Sequence, residues 1–265
     1  MGGDRHFEYL ICTGLRVHKS AMQWSDEGVI LSVRPHAETA AVAEVLTRDH
    51  GRHLGLIHGG RSRKARPVLQ MGNHVEVSWK ARLADQLGVM TVEPLRSFGV
   101  EAMDDPAALC ALLSMCHLAR ALPERDPHPN LFEVTLFVLG FLDDPLVWPA
   151  LYVRWELALL DEFGFGLDLS RCAATGITTD LVYVSPKSGR AVSLAAGEPY
   201  KDRLLSLPAF LRGRSGNGVQ TSDVLAGLDL TTHFLNASLF MPRDETLPEP
   251  RSRLRALLAR LNVPV

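Results

Sequence analysis

Between Ser25 and Phe98 the apolar residues recur with period two; from Asp104 onward they recur with the period of a helix. A chain that makes this switch once folds as a sheet layer followed by a helical layer. In "EGVILSVR", Val29, Leu31 and Val33 fall on one face of a strand. "AAVAEVLT" and "HLGLIHGG" flank "RDHGR", a charged, glycine-containing hairpin turn. "NHVEVSWKAR" alternates, with Val75, Val77 and Trp79 on one side and His74, Glu76, Ser78 and Lys80 on the other. "GVMTVEPLRSF" supplies a fifth strand. Five short strands in so little chain bury little as a flat sheet, so a small closed barrel is expected, and the five-stranded OB-fold is the economical form.

After the switch, "DDPAALCALLSMCHLARAL" opens with an Asp N-cap and places Pro106 in the first turn. "PNLFEVTLFVLGFL" reads as a second helix. "DDPLVWPALYVRWELALLDEFG" reads as a third, with the same Asp-Asp-Pro entry and Gly164 at its C-terminal end. The third is apolar round most of its circumference, which places it at the centre of a bundle. "EPYKDRLLSLPAFLRG", "TSDVLAGLDLTTHFLNASLF" and "PEPRSRLRALLARL" also read as helical, with "GRSGNG" and "MPRDETLPEP" as loops. The expected architecture is α+β and multidomain: a barrel over residues 22–99 and a helical domain over 100–265. Residues 1–21 have no clear period and are expected to lie outside the fold as an extension, with Met22 as the natural start.

A length of 265 residues suits two domains. Hydrophobic content of 46% and charged content of 22% suit a soluble globular chain, and no apolar run reaches a membrane-spanning length. Cys12, Cys110, Cys116 and Cys172 have no disulfide-framework spacing, which points to a reducing cytoplasm.

Motifs for catalysis are scarce. The pairs Asp104-Asp105 and Asp143-Asp144 each precede proline at a helix start, where capping explains them better than acid–base chemistry. His50, His53, His58 and His74 have no carboxylate or thiol at metal-site spacing and are expected as exposed or loop histidines beside a polyanion site. The glycine loops lack the phosphate-binding patterns, and nucleophile motifs are absent. No catalytic residue, metal or cofactor is assigned.

The basic run "GGRSRKARP" is different. It holds Arg61, Arg63, Lys64 and Arg66 with no acid among them, in a chain of net charge −2. Arg52 precedes it, and Lys80 and Arg82 follow at the end of the next strand. Guanidinium groups pair well with phosphate oxygens, and barrel loops are common nucleic-acid surfaces. These seven residues are the expected DNA contacts, in a mode largely independent of sequence. The competing reading is a solvated loop on a protein-joining adaptor; an enzyme built on the histidines is a third.

Read in order, "WSDEGVILSVRPHAET", "LTRDHGRHLGLIHGGRSR", "RPVLQMGNHVEVSW" and "CAATG…DLVYVSPKSGRAVS" resemble the bacterial recombination mediator RecO family, in wording close to its α-proteobacterial branch. The resemblance runs from Met22 nearly to the end. It implies an OB-fold followed by a helical domain with a zinc-finger-like insert, here residues 171–197. It implies a non-enzymatic protein of the RecF pathway in the cytoplasm, associated with the nucleoid and not with membranes. Such a protein binds single- and double-stranded DNA, anneals complementary strands and works with RecR. It helps load RecA onto DNA coated by single-stranded DNA-binding protein (SSB), whose C-terminal tail docks on the helical domain.

Some members of the family hold zinc through C-x-x-C…C-x-x-C. Here Cys172 alone remains, with Thr175, Ser193 and Ala196 at the other three places, and one thiolate makes no tetrahedral site. The insert is therefore a degenerate one, and no zinc is expected. "LVYVS" and "RAVSL" are expected to pair as a hairpin across "PKSG". Lys187 and Arg190 lie near that turn, where a secondary DNA contact is the less favoured reading.

Overall fold

The computed structural model describes residues 22–83, 85–213 and 218–261; the extension 1–21 and the interior of "GRSGNG", 214–217, lie outside the described residues. Strands β1 (Met22–His36), β2 (Ala40–Thr47), β3 (Gly51–Ile57), β4 (His74–Ala81) and β5 (Val89–Arg96) close into a barrel in the order β1-β2-β3-β5-β4. β1 serves two neighbours. Met22–Val29 pairs with β4, and Gly28–His36 pairs with β2. The parallel contact Leu56 to Val89 closes the ring.

A register shift between Ile30 and Ser32 reverses the facing of β1 at that point. Val29 and Leu31 point out of the barrel into the helices, Ile30 points into the barrel, and Val33 packs on the barrel side. Val33 therefore does not share a face with Val29 and Leu31; an extra residue in one strand is invisible to a period-two count. β2 is buried throughout because it is covered on both faces. Ala43 and Val45 fill the barrel, and Leu46 joins the helical core. β4 follows its sequence alternation, with Val75, Val77, Trp79 and Ala81 inside. Trp79 plugs one end, its Nε1 donating to the carbonyls of Leu87 (3.0 Å) and Leu54 (3.3 Å). Gly88 lies against that indole at φ +68, where a Cβ would collide with the ring.

The short α1 (Phe98–Glu101) leads to α2 (Pro106–Ala119), capped by the Asp105 carboxylate on the Ala107 N–H (2.8 Å). α3 (Pro129–Leu139) and α4 (Trp148–Glu162) follow. The Asp143-Asp144-Pro145 entry does not cap α4. Asp144 caps the preceding turn through Leu146 N–H (3.0 Å), and the helix starts at Trp148. Pro149 in the first turn supplies the start signal instead. Gly164 at φ +79 ends α4 in a Schellman turn: Phe165 N–H reaches the Leu160 carbonyl and Gly164 N–H that of Asp161, both at 2.8 Å.

The rest of the chain departs further from its sequence pattern. β6 (Leu181–Val184) and β7 (Ala191–Ser193) form the expected hairpin, and β8 (Leu205–Ser206) adds a third strand beside β6. "EPYKDRLLSLPAFLRG" is thus not a helix. The short helix α5 (Leu194–Gly197) runs into a 3₁₀ turn at Glu198–Arg203, then come β8 and a second 3₁₀ turn at Ala209–Arg212. Pro208 holds Leu207 out of helical backbone, and Leu207 N–H pairs with the Val182 carbonyl (2.8 Å). α6 (Thr221–Leu235) continues through a π turn to Phe240 and a 3₁₀ turn at Met241–Arg243; α7 (Glu249–Leu261) is the last described element.

α4 is the centre of the bundle, burying Trp148, Tyr152, Val153, Trp155, Leu159 and Leu160. It also buries Glu156, which the apolar pattern does not explain. Arg251 of α7 engages this carboxylate, and Tyr152 OH (2.8 Å) and Thr231 donate to it. Burying such a pair is tolerable only when its hydrogen bonds are met, and removing one partner typically costs about 3–5 kcal/mol. The outer face of the barrel packs into the helical core, where Val29, Leu31 and Leu46 cluster with Leu112, Met115 and Phe132, while Ile30, Val45, Val77 and Trp79 form a separate core inside the barrel. No helix among the described residues is long and apolar enough to cross a membrane.

Candidate nucleic-acid interface

The loop after β3 is built rigidly. Gly59, at φ +67, turns the chain, and Arg61 N–H binds the Thr39 carbonyl (3.0 Å). The Arg61 guanidinium donates to the Ala37 and Glu38 carbonyls, each at 2.9 Å, which ties the loop to the β1–β2 turn. Successive turns follow: Arg66 N–H to the Ser62 carbonyl and Leu69 N–H to that of Ala65. From beneath, Asn73 Nδ2 donates to the carbonyls of Pro67 (2.8 Å) and Val68 (3.0 Å). Arg61, Arg63, Lys64 and Arg66 are all exposed on this frame. Among the described residues none of the four has a carboxylate within ion-pair distance.

Lys80 is exposed on the outer side of β4, in register with Val89 of β5, and Arg82 is exposed just beyond it. The loop reaches the same strand, since Lys64 lines a groove with Thr91, Val92, Glu93 and Pro94. The two cationic groups thus flank β5. Elsewhere on the barrel the sign is reversed: Asp26, Glu27, Asp49 and Glu76 gather round Arg48. A polyanion is attracted to the first surface and repelled by the second.

Arg52 does not join the others. Its side chain is 14% exposed and engages the Glu44 carboxylate, while its Nε donates to the Leu122 carbonyl (2.7 Å). Glu44 is itself buried and also receives Ser32 Oγ (2.9 Å) and Arg120 Nε (2.8 Å). Burial opposes its ionisation, but the hydrogen bonds from Ser32, Arg120 and Arg52 outweigh that and hold its pKa below the ordinary glutamate range. Arg52 is thus a clamp between barrel and helices. Glu44 is close in sequence, but the helical contacts that complete the clamp are not: the Leu122 carbonyl lies 70 residues from Arg52, and Arg120 lies 76 from Glu44.

Of the histidines expected as exposed or in loops, His50 and His58 lie in loops, whereas His53 and His74 lie on strands. His53 is buried, and His74 is half-buried against Glu27 (3.1 Å). Burial pushes both imidazoles below the ordinary histidine range, against the opposing pull of the Glu27 carboxylate on His74. His50 stacks on Trp24 at 4.1 Å and meets Asp26 at 2.8 Å. His58 alone of the four is exposed, at the mouth of the basic loop.

In the second half, two of the three other places of the zinc ligand set, Thr175 and Ser193, hydrogen-bond to Cys172. Ser193 N–H (3.3 Å) and Oγ (3.4 Å) donate to Cys172 Sγ. Burial opposes ionisation of the thiol, but Ser193 and Thr175 lower its pKa to about 6. Ala196 has no donor atom, so these residues do not fit zinc. Backbone bonds complete the cross-link: Cys172 N–H to the Ile177 carbonyl (2.7 Å) and Ala173 N–H to that of Ala191 (2.8 Å). At the hairpin tip Lys187 is exposed, whereas Arg190 is within 3.5 Å of Asp168.

Comparison with known proteins agrees with this layout. Residues 22–98 match the family model described as recombination protein O N terminal, and residues 103–246 match recombination protein O C terminal. The chain is 54% identical over 235 residues to the DNA repair protein RecO of Rhodospirillum centenum, covering 88% of this chain and 93% of the relative. It is 53% identical to a protein of that name from Methylorubrum extorquens over 241 residues, 89% of this chain and 98% of the relative. The protein of the same name from Rhodopseudomonas palustris is 50% identical over 234 residues, 87% of this chain and 94% of the relative. With both halves matched in order and the relatives covered almost end to end, the chain belongs to the RecO family.

Proposed function

We propose that this protein is a DNA-repair recombination mediator of the RecF pathway, acting in the cytoplasm at the nucleoid. It binds single- and double-stranded DNA, anneals complementary strands without turnover chemistry, and with RecR helps load RecA onto SSB-coated single strands. The SSB C-terminal tail docks on the helical domain. The barrel, read as an OB-fold, carries the DNA surface, and the β6–β7 region is a degenerate zinc-finger-like insert. The observation that carries the DNA reading is the exposed cluster Arg61, Arg63, Lys64 and Arg66, free of carboxylate partners among the described residues. The adaptor reading is favoured by a basic loop tied down by Asp or Glu side chains, and none of the four residues has such a tie among the described residues. Lys80 and Arg82 extend the surface along β5, and Arg52 supports it from within.

Charge reversal at Arg63, Lys64 and Arg66 tests this, leaving in place the Arg61 guanidinium that ties the loop to the β1–β2 turn. Phosphate contacts release counterions, so the triple variant weakens binding to single strands and duplexes alike and flattens the slope of log K against log salt by about 2–3. Annealing at the unaltered rate by that variant would remove the DNA surface from this loop.

A further inference from the structure

The groove beside the basic loop has a volume of about 530 Å³, within the range of small-ligand sites. Its floor is apolar and fixed. Ile57 and Leu69 belong to the barrel core, Val68 and Val92 pack against that core, and Pro94 forms the far wall. Lys64 and His58 stand on its rim. The hydrogen bonds from Asn73 to Pro67 and Val68 keep the floor in place without a ligand. Phosphate attraction alone requires no such cleft, since a flat cationic surface suffices.

We infer that this groove receives an unstacked nucleobase of single-stranded DNA whose phosphates lie on Lys64 and its neighbours. This rests on the DNA-binding reading and adds a strand preference to it. The charge pattern orients the strand. Cations at the rim take the backbone, and the apolar floor takes the face of the base. The Ser62 and Thr91 hydroxyls and the Glu93 carboxylate line the same groove and face polar base edges. Glu93 repels phosphate and accepts from exocyclic amino groups, so the backbone stays at the Lys64 side. A duplex keeps its bases stacked and paired inside the helix and places only phosphates on the rim. The groove therefore favours single strands.

The test compares three probes of equal phosphate number on the full-length protein, by fluorescence anisotropy at one salt concentration: an oligodeoxynucleotide, the same backbone with abasic sites, and a duplex. The unaltered protein binds the base-bearing strand about fivefold more tightly than the abasic one, as burying one face of a base on an aliphatic floor provides. Ala65→Leu, which narrows the groove, and Val68→Asn, which makes its floor polar, each abolish that difference. Both keep the affinity for the abasic strand and the duplex, which reports an intact fold and an intact phosphate surface. Equal binding of base-bearing and abasic strands by the unaltered protein overturns the inference while leaving the phosphate surface standing. A difference that survives both substitutions overturns it as well, by placing the base elsewhere. Failure to bind any of the three probes removes the DNA reading and the inference together.

Discussion

Glu44 receives Ser32, Arg52 and Arg120 on one buried carboxylate, so a single side chain joins three barrel strands to the end of α2. Its pKa is lowered on folding, which means the unfolded chain binds the proton more readily. The stability it supplies is complete above the unfolded glutamate value and is lost as pH falls through the lowered folded value. Denaturant unfolding as a function of pH checks this. Glu44→Gln is less stable than the unaltered protein near neutrality, and the gap closes in acid. A gap that stays constant down to the acid limb would mean that Glu44 is not ionised in the fold. The seven basic residues separate at this scale too. Six lie on the surface, but Arg52 is taken by Glu44 and Leu122. Charge density along the sequence locates a cationic region; which cation is spent internally depends on a carboxylate eight residues away across a β-hairpin.

Backbone pairing and hydrogen bonds to Cys172 hold the β6–β7 hairpin in place. Cys172 is 1% exposed and sits at the junction where Ser193 of β7 donates to it. Purified protein is therefore expected to carry no stoichiometric zinc by elemental analysis, and a chelator leaves its thermal midpoint unchanged. Ser193→Ala removes a donor from Cys172 and raises the thiol pKa, readable as a shift in thiolate ultraviolet absorbance toward higher pH. Stoichiometric zinc would refute the hydrogen-bonded arrangement. Elements with a strong local signal are those legible in the sequence: the alternation of β4, the Asp105 cap of α2, the Gly164 stop of α4 and the turn between β6 and β7. The failures have physical causes. The β1 bulge adds a residue that period counting cannot register. Residues 198–213 carry leucines at helical spacing, yet Pro199 and Pro208 shorten any helix there, and the open edge of β6 takes Leu205–Ser206 as a partner.

Across the molecule, the outer face of the barrel packs into the helical core through Val29, Leu31 and Leu46. Calorimetry is expected to give one cooperative transition. Leu31→Ala, at a side chain 1% exposed, costs about 2–5 kcal/mol and lowers the whole transition. Two resolved transitions, with only one moved by Leu31→Ala, would mean that the halves fold separately. Sequence alone determined the layers, the barrel strand count, the central helix and the place of the cationic loop. Each of these follows from periodicity, capping or charge within a few residues of its neighbours. Tertiary structure alone decided that Arg52 is a clamp, that Glu156 and Arg251 meet in the bundle, that three of the barrel histidines turn inward or onto partners, and that an apolar groove lies beside Lys64. These depend on which distant residues the fold brings within a few ångströms, a distance that spacing along the chain does not encode.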